Sequence, residues 1–291
     1  MFDIQNYVKA ESIKDAVRLL SENEGARLIA GGTDVLIKLR EGDEEFSSLV
    51  DIHNLEELRF IDKDSNGDIR IGSAMDFTSI IEHPVIKENI PVVAQCSLSI
   101  GGPQVRNVAT IGGNLCNGAI SADSICGLVV LDAVLETESI DGAREIPMDQ
   151  FYLGPGKTVL GETEVLKNIL IKRENYENRG AYYYKYAMRD AMDIATIGCG
   201  ASCSINNGKI EDFRIVFTVA APKPTRALEA EEFAVGQTPS EETAEEIAKK
   251  VMSSLNPRDS WRASKAFRTH IIQTLAKRVA MKAMEDAGAE L

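Results

Sequence analysis

The 291-residue chain has five cysteines and three histidines, and neither set is spaced to hold a metal. Cys96, Cys116, Cys126, Cys199 and Cys203 include no CxxC pair. Their odd number and scatter exclude a zinc site or a complete disulfide framework. His53, His83 and His270 lie far apart and read as structural or exposed. Basic residues are outnumbered, 32 Lys+Arg against 45 Asp+Glu, for a formal net charge of -13. That excludes a broad nucleic-acid face or a polybasic membrane anchor and leaves room only for a local basic pocket. No apolar run reaches the roughly 18 residues of a spanning helix. The start, MFDIQNYVKAESIKDAV, has no basic segment followed by a signal-like core, so a cytoplasmic location is expected.

Two nucleotide fingerprints are missing as well. No GxGxxG occurs. GPGKT at 154–158 ends like a phosphate-binding P-loop, but that motif demands glycine at 151 and this chain has Phe151.

What is present is an ordinary hydrophobic content of 44%, and a length that predicts two domains. Apolar spacing predicts a helix over 12–23, with Ser12 as its cap and Asp15 in the capping-box position. Strands are expected over 27–32, 48–52 and 69–75, and a second helix after 34. Helical segments interrupted by Pro84 and Pro91 follow. A helix–strand pair begins near 125, and EVLKNILI at 164–171 closes the first domain. The charged stretch 173–180 reads as the boundary. Beyond it come strands over 181–188, 195–205 and 209–220, the last two joined by the turn Asn206-Asn207-Gly208. Two helices end the chain, and Trp261 is expected to pack the terminal helices rather than stack on a base.

Glycine carries the functional signal. LIAGGTDVL (28–36) places Gly31, Gly32, Thr33 and Asp34 directly after an apolar strand. GGPQVRNVATIGGNLCNGAISAD (101–123) gathers Gly101, Gly102, Gly112, Gly113 and Gly118. Closely spaced glycines allow successive backbone N–H groups to converge on an anion. Loops 31–34 and 110–114 would then clasp one diphosphate from both sides, with Thr33, Asn114 and Asp123 as polar anchors. Two ordinary turns without a ligand remain the alternative on residues alone. Asp123 is read equally as a sugar contact or a helix cap. Lys185 and Arg189 either reach an anionic cofactor or pair on the surface with Asp190. Tyr182–Tyr184 are strand packing or an interface.

Together with FYLGPGKTVL, KYAMRDAMDIATIG and NPRDSWRASKAFRTHIIQTLAKR, these motifs resemble, in order and over nearly the whole chain, the FAD-binding subunits of bacterial three-subunit xanthine dehydrogenases, within the molybdenum-hydroxylase flavoprotein family. The resemblance implies an α+β fold. A two-subdomain FAD-binding domain of the vanillyl-alcohol-oxidase-like type would span 1–176 (subdomains about 1–55 and 56–176), and a small antiparallel sheet plus helices 181–291. It assigns Leu28, Ile29, Ala30, Gly31, Gly32, Thr33, Asp34 and Val35 to the first FAD loop. Ile100 would lie beside the flavin, and Thr110, Ile111, Gly112, Gly113 and Asn114 around the diphosphate. Asp123 would meet a sugar or ribityl hydroxyl, Leu166 the adenine side, and Lys185 the flavin. Gly32 stands where eukaryotic relatives have asparagine.

The same resemblance implies an electron-transfer role and no catalytic acid, base or nucleophile on this chain. A molybdopterin-binding large subunit would oxidise hypoxanthine or xanthine, and a small 2Fe–2S subunit would relay the electrons. This chain would hold FAD and pass hydride to NAD+ as co-substrate, within a dimer of heterotrimers. Flavoproteins of hydroxylases acting on nicotinate, carbon monoxide or aldehydes, and a non-enzymatic dinucleotide-binding scaffold, are the rival readings.

Overall fold

Three main β-sheets organise the protein in a computed structural model that describes residues 3–291. The first is parallel, with Ser48–Asp51 between Asn6–Lys9 and Arg27–Ile29. Helix Ile13–Glu22 covers it, burying Ala16, Val17, Leu19 and Leu20. Ser12 caps this helix by accepting from the Asp15 N–H, while the Asp15 carboxylate reaches back to the Glu11 N–H. The strand expected over 27–32 ends at Ile29, where its pairing with Asp51 finishes. Residues 30–34 thereby leave the sheet as a loop ahead of helix Val35–Arg40.

The second sheet is antiparallel, in the order Ile61–Lys63, Ile69–Gly72, Val165–Ile171, Val134–Ser139, Gly142–Pro147. Its latest strand in sequence sits in the centre, which is why VLKNILI is buried at nearly every position. The strand expected to reach 75 stops at Gly72. Pro84 and Pro91 open helices Pro84–Asn89 and Pro91–Leu98 as first residues, where a missing N–H costs nothing.

The third sheet is also antiparallel, in the order Arg179–Tyr186, Ile197–Asn206, Lys209–Thr218, Thr225–Arg226. Asn207 and Gly208 form the hairpin turn with φ of 50° and 72°. Helices Leu228–Ala234, Glu241–Lys250 and Lys265–Asp286 pack on this sheet around their own apolar core. Trp261 is not between them: it is 80% exposed. Among the described residues no helix is long and apolar enough to cross a membrane.

Helix Ser124–Val130 joins the second and third sheets. All seven of its residues are buried. Asp132, just past its end, turns the chain with φ of 43°, and the Ala133 N–H donates to the Leu128 carbonyl. The Asp132 carboxylate pairs with Arg214 at 3.0 Å and Arg226 at 2.9 Å, both on the third sheet. Asp123, at the other end of the helix, is paired to the same sheet through Lys185.

Candidate cofactor site

The two glycine loops meet. A Cβ on Gly31 would lie 1.9 Å from the Val108 carbonyl oxygen and 3.0 Å from the Ala109 Cα, so only glycine lets the first loop rest on the chain leading into the second. Gly112 is also pressed against its neighbour, since its Cβ would come within 2.7 Å of the Ser73 carbonyl oxygen. Between the loops lies a cavity of about 490 Å³, within the roughly 300–1,000 Å³ range of small-molecule sites.

Leu28, Ala30, Gly31, Gly32, Thr33, Asp34 and Val35 line this cavity from the first loop. Thr110, Gly112, Gly113 and Asn114 line it from the second, with Ile100 and Leu166 on further walls. Ile29 and Ile111 do not; Ile111 is fully buried in the core. Asp123 and Lys185 also lie off the cavity wall.

The backbone donors of the two loops are used differently. In the second loop the Ile111 N–H donates to the Met75 carbonyl, Gly112 to the Ser73 carbonyl, Gly113 to the Thr110 hydroxyl and Asn114 to the Thr110 carbonyl. The second loop is therefore knitted into the protein rather than open as the anion nest expected of it. In the first loop the N–H groups of Gly31, Gly32, Thr33 and Asp34 have no acceptor among the described residues. Four neighbouring donors against a cavity are what a diphosphate satisfies. The buried Ser73 hydroxyl on the same wall is also without a partner. The donor set thus fits an anionic dinucleotide.

Asp123 sits at the N-cap position of its helix but makes no capping bond. Its two oxygens accept instead from the Tyr183 hydroxyl at 2.6 Å and Lys185 Nζ at 2.8 Å. Burial raises its carboxyl above the ordinary 3.8, and Lys185 and Tyr183 pull against that shift. Lys185 Nζ also donates to the Ser99 carbonyl at 2.9 Å, one residue before Ile100 on the cavity wall. Surface pairing with Asp190 is thereby overturned for Lys185, and Arg189 pairs with Asp193. Tyr183 is buried and Tyr184 exposed, as alternation along strand Arg179–Tyr186 requires.

Several cavity residues escaped the sequence reading. GPGKT forms the tight hairpin of Tyr152–Gly154 and Lys157–Thr158, whose Gly156 N–H donates to the Gly118 carbonyl at 2.9 Å. Gly156 and Thr158 line the cavity, so the motif braces the second loop. Glu164, also on the wall, accepts from Thr137 at 2.5 Å and from Arg144 at 2.6 and 2.7 Å. Burial pushes Glu164 up, but these donors win and hold its carboxyl below its ordinary value. Cys116, an exposed residue, lines the cavity too. No His, Cys, Asp or Glu cluster able to hold a metal occurs among the described residues.

Comparison with known proteins decides the family. Residues 2–171 match the model for the FAD binding domain in molybdopterin dehydrogenase. The chain belongs to this family of flavoproteins. Residues 182–283 match the CO dehydrogenase flavoprotein C-terminal domain. The molybdopterin-dehydrogenase flavoproteins bind FAD, and this chain is accordingly an FAD-binding flavoprotein with their two-domain α+β fold. It is 46% identical, over all of both chains, to the putative xanthine dehydrogenase FAD-binding subunit of Escherichia coli strain K12. It is 29% identical to the glyceraldehyde dehydrogenase medium chain of Sulfolobus acidocaldarius, over 97% of each. Among solved structures, carbon monoxide dehydrogenase from Hydrogenophaga pseudoflava superposes with a TM-score of 0.93 at 27% identity, covering 98% of this chain and 99% of that one.

Proposed function

We propose that this chain is the FAD-binding electron-transfer subunit of an NAD-dependent xanthine dehydrogenase. The observation that carries the cofactor assignment is the row of four unpaired N–H groups, Gly31 to Asp34, against a glycine-walled cavity. The 46% identity to a xanthine dehydrogenase FAD-binding subunit favours purine oxidation over the carbon monoxide reading, whose structural relative stands at 27%.

Bound FAD supplies the exchange between two-electron and one-electron chemistry that side chains cannot perform. The protein's part is to hold and orient it. The Gly31–Asp34 amides bind the diphosphate, and Thr33 and Asn114 add side-chain contacts. Thr110, Gly112 and Gly113 shape the opposite wall, with Ile111 packed in the core behind it. Ile100 packs beside the flavin, with Leu28, Ala30 and Val35 forming the apolar approach, Ile29 behind them, and Leu166 the adenine end. The Asp123–Lys185 pair orients a sugar or ribityl hydroxyl and the flavin. The FAD-binding domain extends over 1–176 and the C-terminal domain over 181–291. The complex comprises a molybdopterin-binding large subunit, a 2Fe–2S small subunit and this chain, which serves as the electron outlet to NAD+ in the cytoplasm. Two such heterotrimers form the full assembly.

The test is to purify the chain without added cofactor, record its visible spectrum and identify released flavin by chromatography. Stoichiometric FAD, and xanthine-dependent NAD+ reduction by the co-expressed complex, are expected. Folded chain that binds no FAD even in excess would refute the cofactor site. A flavin-loaded complex inert toward xanthine but active on carbon monoxide or nicotinate would replace the substrate alone.

A further inference from the structure

The only tryptophan of the chain is 80% exposed. Trp261 lies on the loop before helix Lys265–Asp286, with the Arg262 guanidinium 4.3 Å from its ring centre. Three arginines gather here. Arg258 and Arg262 face Arg268, and burial together with their charges holds the Arg268 guanidinium below its ordinary value. Unlike Arg214 and Arg226, none of the three has a carboxylate partner among the described residues. Arg268 is 2% exposed and donates to the Thr196 carbonyl and the Ser260 hydroxyl, while its Nε and that of Arg262 are buried without acceptors. Buried guanidinium charge left uncompensated is costly, and an incoming carboxylate relieves it.

Apolar surface continues from this cluster towards the cofactor cavity. Phe267 contacts Tyr186 at 6.0 Å between ring centres and is itself exposed. Met188, Met192 and Ile194 project from the segment after strand Arg179–Tyr186. Met192 packs on the turn at Gly101 and Gln104, between Ile100 and Val105 of the cavity wall. Exposed tryptophan and arginine beside methionine and phenylalanine are the composition of an interface centre. None of Trp261, Arg258, Arg262 and Arg268 lines either main cavity, which argues for a protein surface rather than a small ligand.

We propose that this face, from Met192 to Trp261, docks the electron-donating iron–sulfur subunit through an acidic, partly apolar patch on that partner. The assignment rests on the proposed function, which requires a donor to sit at the rim of the cofactor cavity. Its chemistry follows from the unpaired arginines: on a chain of net charge -13 they are a local demand for carboxylates.

Hydroxyl-radical footprinting of the isolated flavoprotein and of the complete three-subunit complex tests it. Trp261 oxidation is expected to slow at least tenfold in the complex. Full reactivity of Trp261 in an intact complex overturns the proposal. Protection by NADH alone, without protection by the subunits, overturns it in favour of a dinucleotide site. The double variant Arg258→Glu/Arg262→Glu should cut recovery of the iron–sulfur subunit tenfold at unchanged FAD content, and undiminished recovery counts against the docking face. A wild-type chain that holds FAD yet co-purifies with neither partner refutes the proposed function, and the docking face with it.

Discussion

The two glycine loops look alike as sequence and behave as opposites in the structure. Loop 110–114 spends the amides of residues 111–114 on Met75, Ser73 and Thr110, so it is built into the wall. Loop 31–34 spends none of its four on the described residues. Glycine serves both, but for different reasons. At Gly112 it permits contact with Ser73, whereas at Gly32 it permits a left-handed φ of 72° that turns the chain. A glycine-rich motif therefore announces close backbone approach, and the free donors must be located by following each N–H to its acceptor.

Substitutions can break that contrast or sharpen it. The largest effect is expected at the contact between the loops. In Gly31→Val the side chain collides with the Val108 carbonyl, which should cost more than about 4 kcal/mol, the range of outright collision rather than repacking. Denaturant unfolding with and without FAD would measure it, and a loss under about 1 kcal/mol would mean that the loops do not touch. Next comes Asp123→Asn, which strips the part-buried Lys185 of its countercharge, at a cost of about 3 kcal/mol. It should also change the pH response. Because the Asp123 carboxyl is raised above 3.8 in the fold, the native state holds that proton more tightly. Its contribution is present at low pH and lost as pH rises through the raised value. Stability curves of wild type and variant should therefore converge in slope once Asp123 is fully ionised, and parallel curves throughout would contradict the shift.

Smaller effects separate wall from donor. Thr110→Val removes the acceptor of the Gly113 N–H and should destabilise apoprotein and FAD-loaded protein alike, by about 1–2 kcal/mol. Thr33→Val should leave apoprotein melting almost unmoved while weakening FAD binding about tenfold, read by flavin fluorescence titration. If both variants altered stability and affinity in the same ratio, the division of labour would be wrong. Least of all, Gly32→Ala meets only side-chain atoms of Leu36 and Ile29 at 3.3–3.4 Å. Its cost is the left-handed backbone, about 1 kcal/mol, so apo folding should survive while FAD affinity falls. Unchanged FAD affinity would remove the Gly32 amide from the site.

Much of this was legible beforehand, because periodicity and turn chemistry act locally. The Ser12 cap, the proline-led helices and the Asn207-Gly208 hairpin depend on residues within a few positions of one another. The two motif loops stand out in the same way by their glycines, whereas Leu28, Ala30, Val35, Ile100 and Leu166 are marked only by the resemblance to a known family. What escaped were contacts between distant segments. The GPGKT turn braces Gly118, Arg144 and Thr137 converge on Glu164, and Lys185 crosses to Asp123 instead of a neighbour. Trp261 was misplaced for the opposite reason: size and hydrophobicity argue for burial on average, and nothing local marks a side chain reserved for the surface.

The buried helix Ser124–Val130 has a mechanical consequence. It is fastened to the third sheet at both ends, by Asp123 to Lys185 and Tyr183, and by Asp132 to Arg214 and Arg226. One fastening lets a body swivel; two separated ones do not. The halves of the protein are joined like a beam riveted twice rather than a door on a hinge, so rotation about one end of the helix has to break the ion pair at the other.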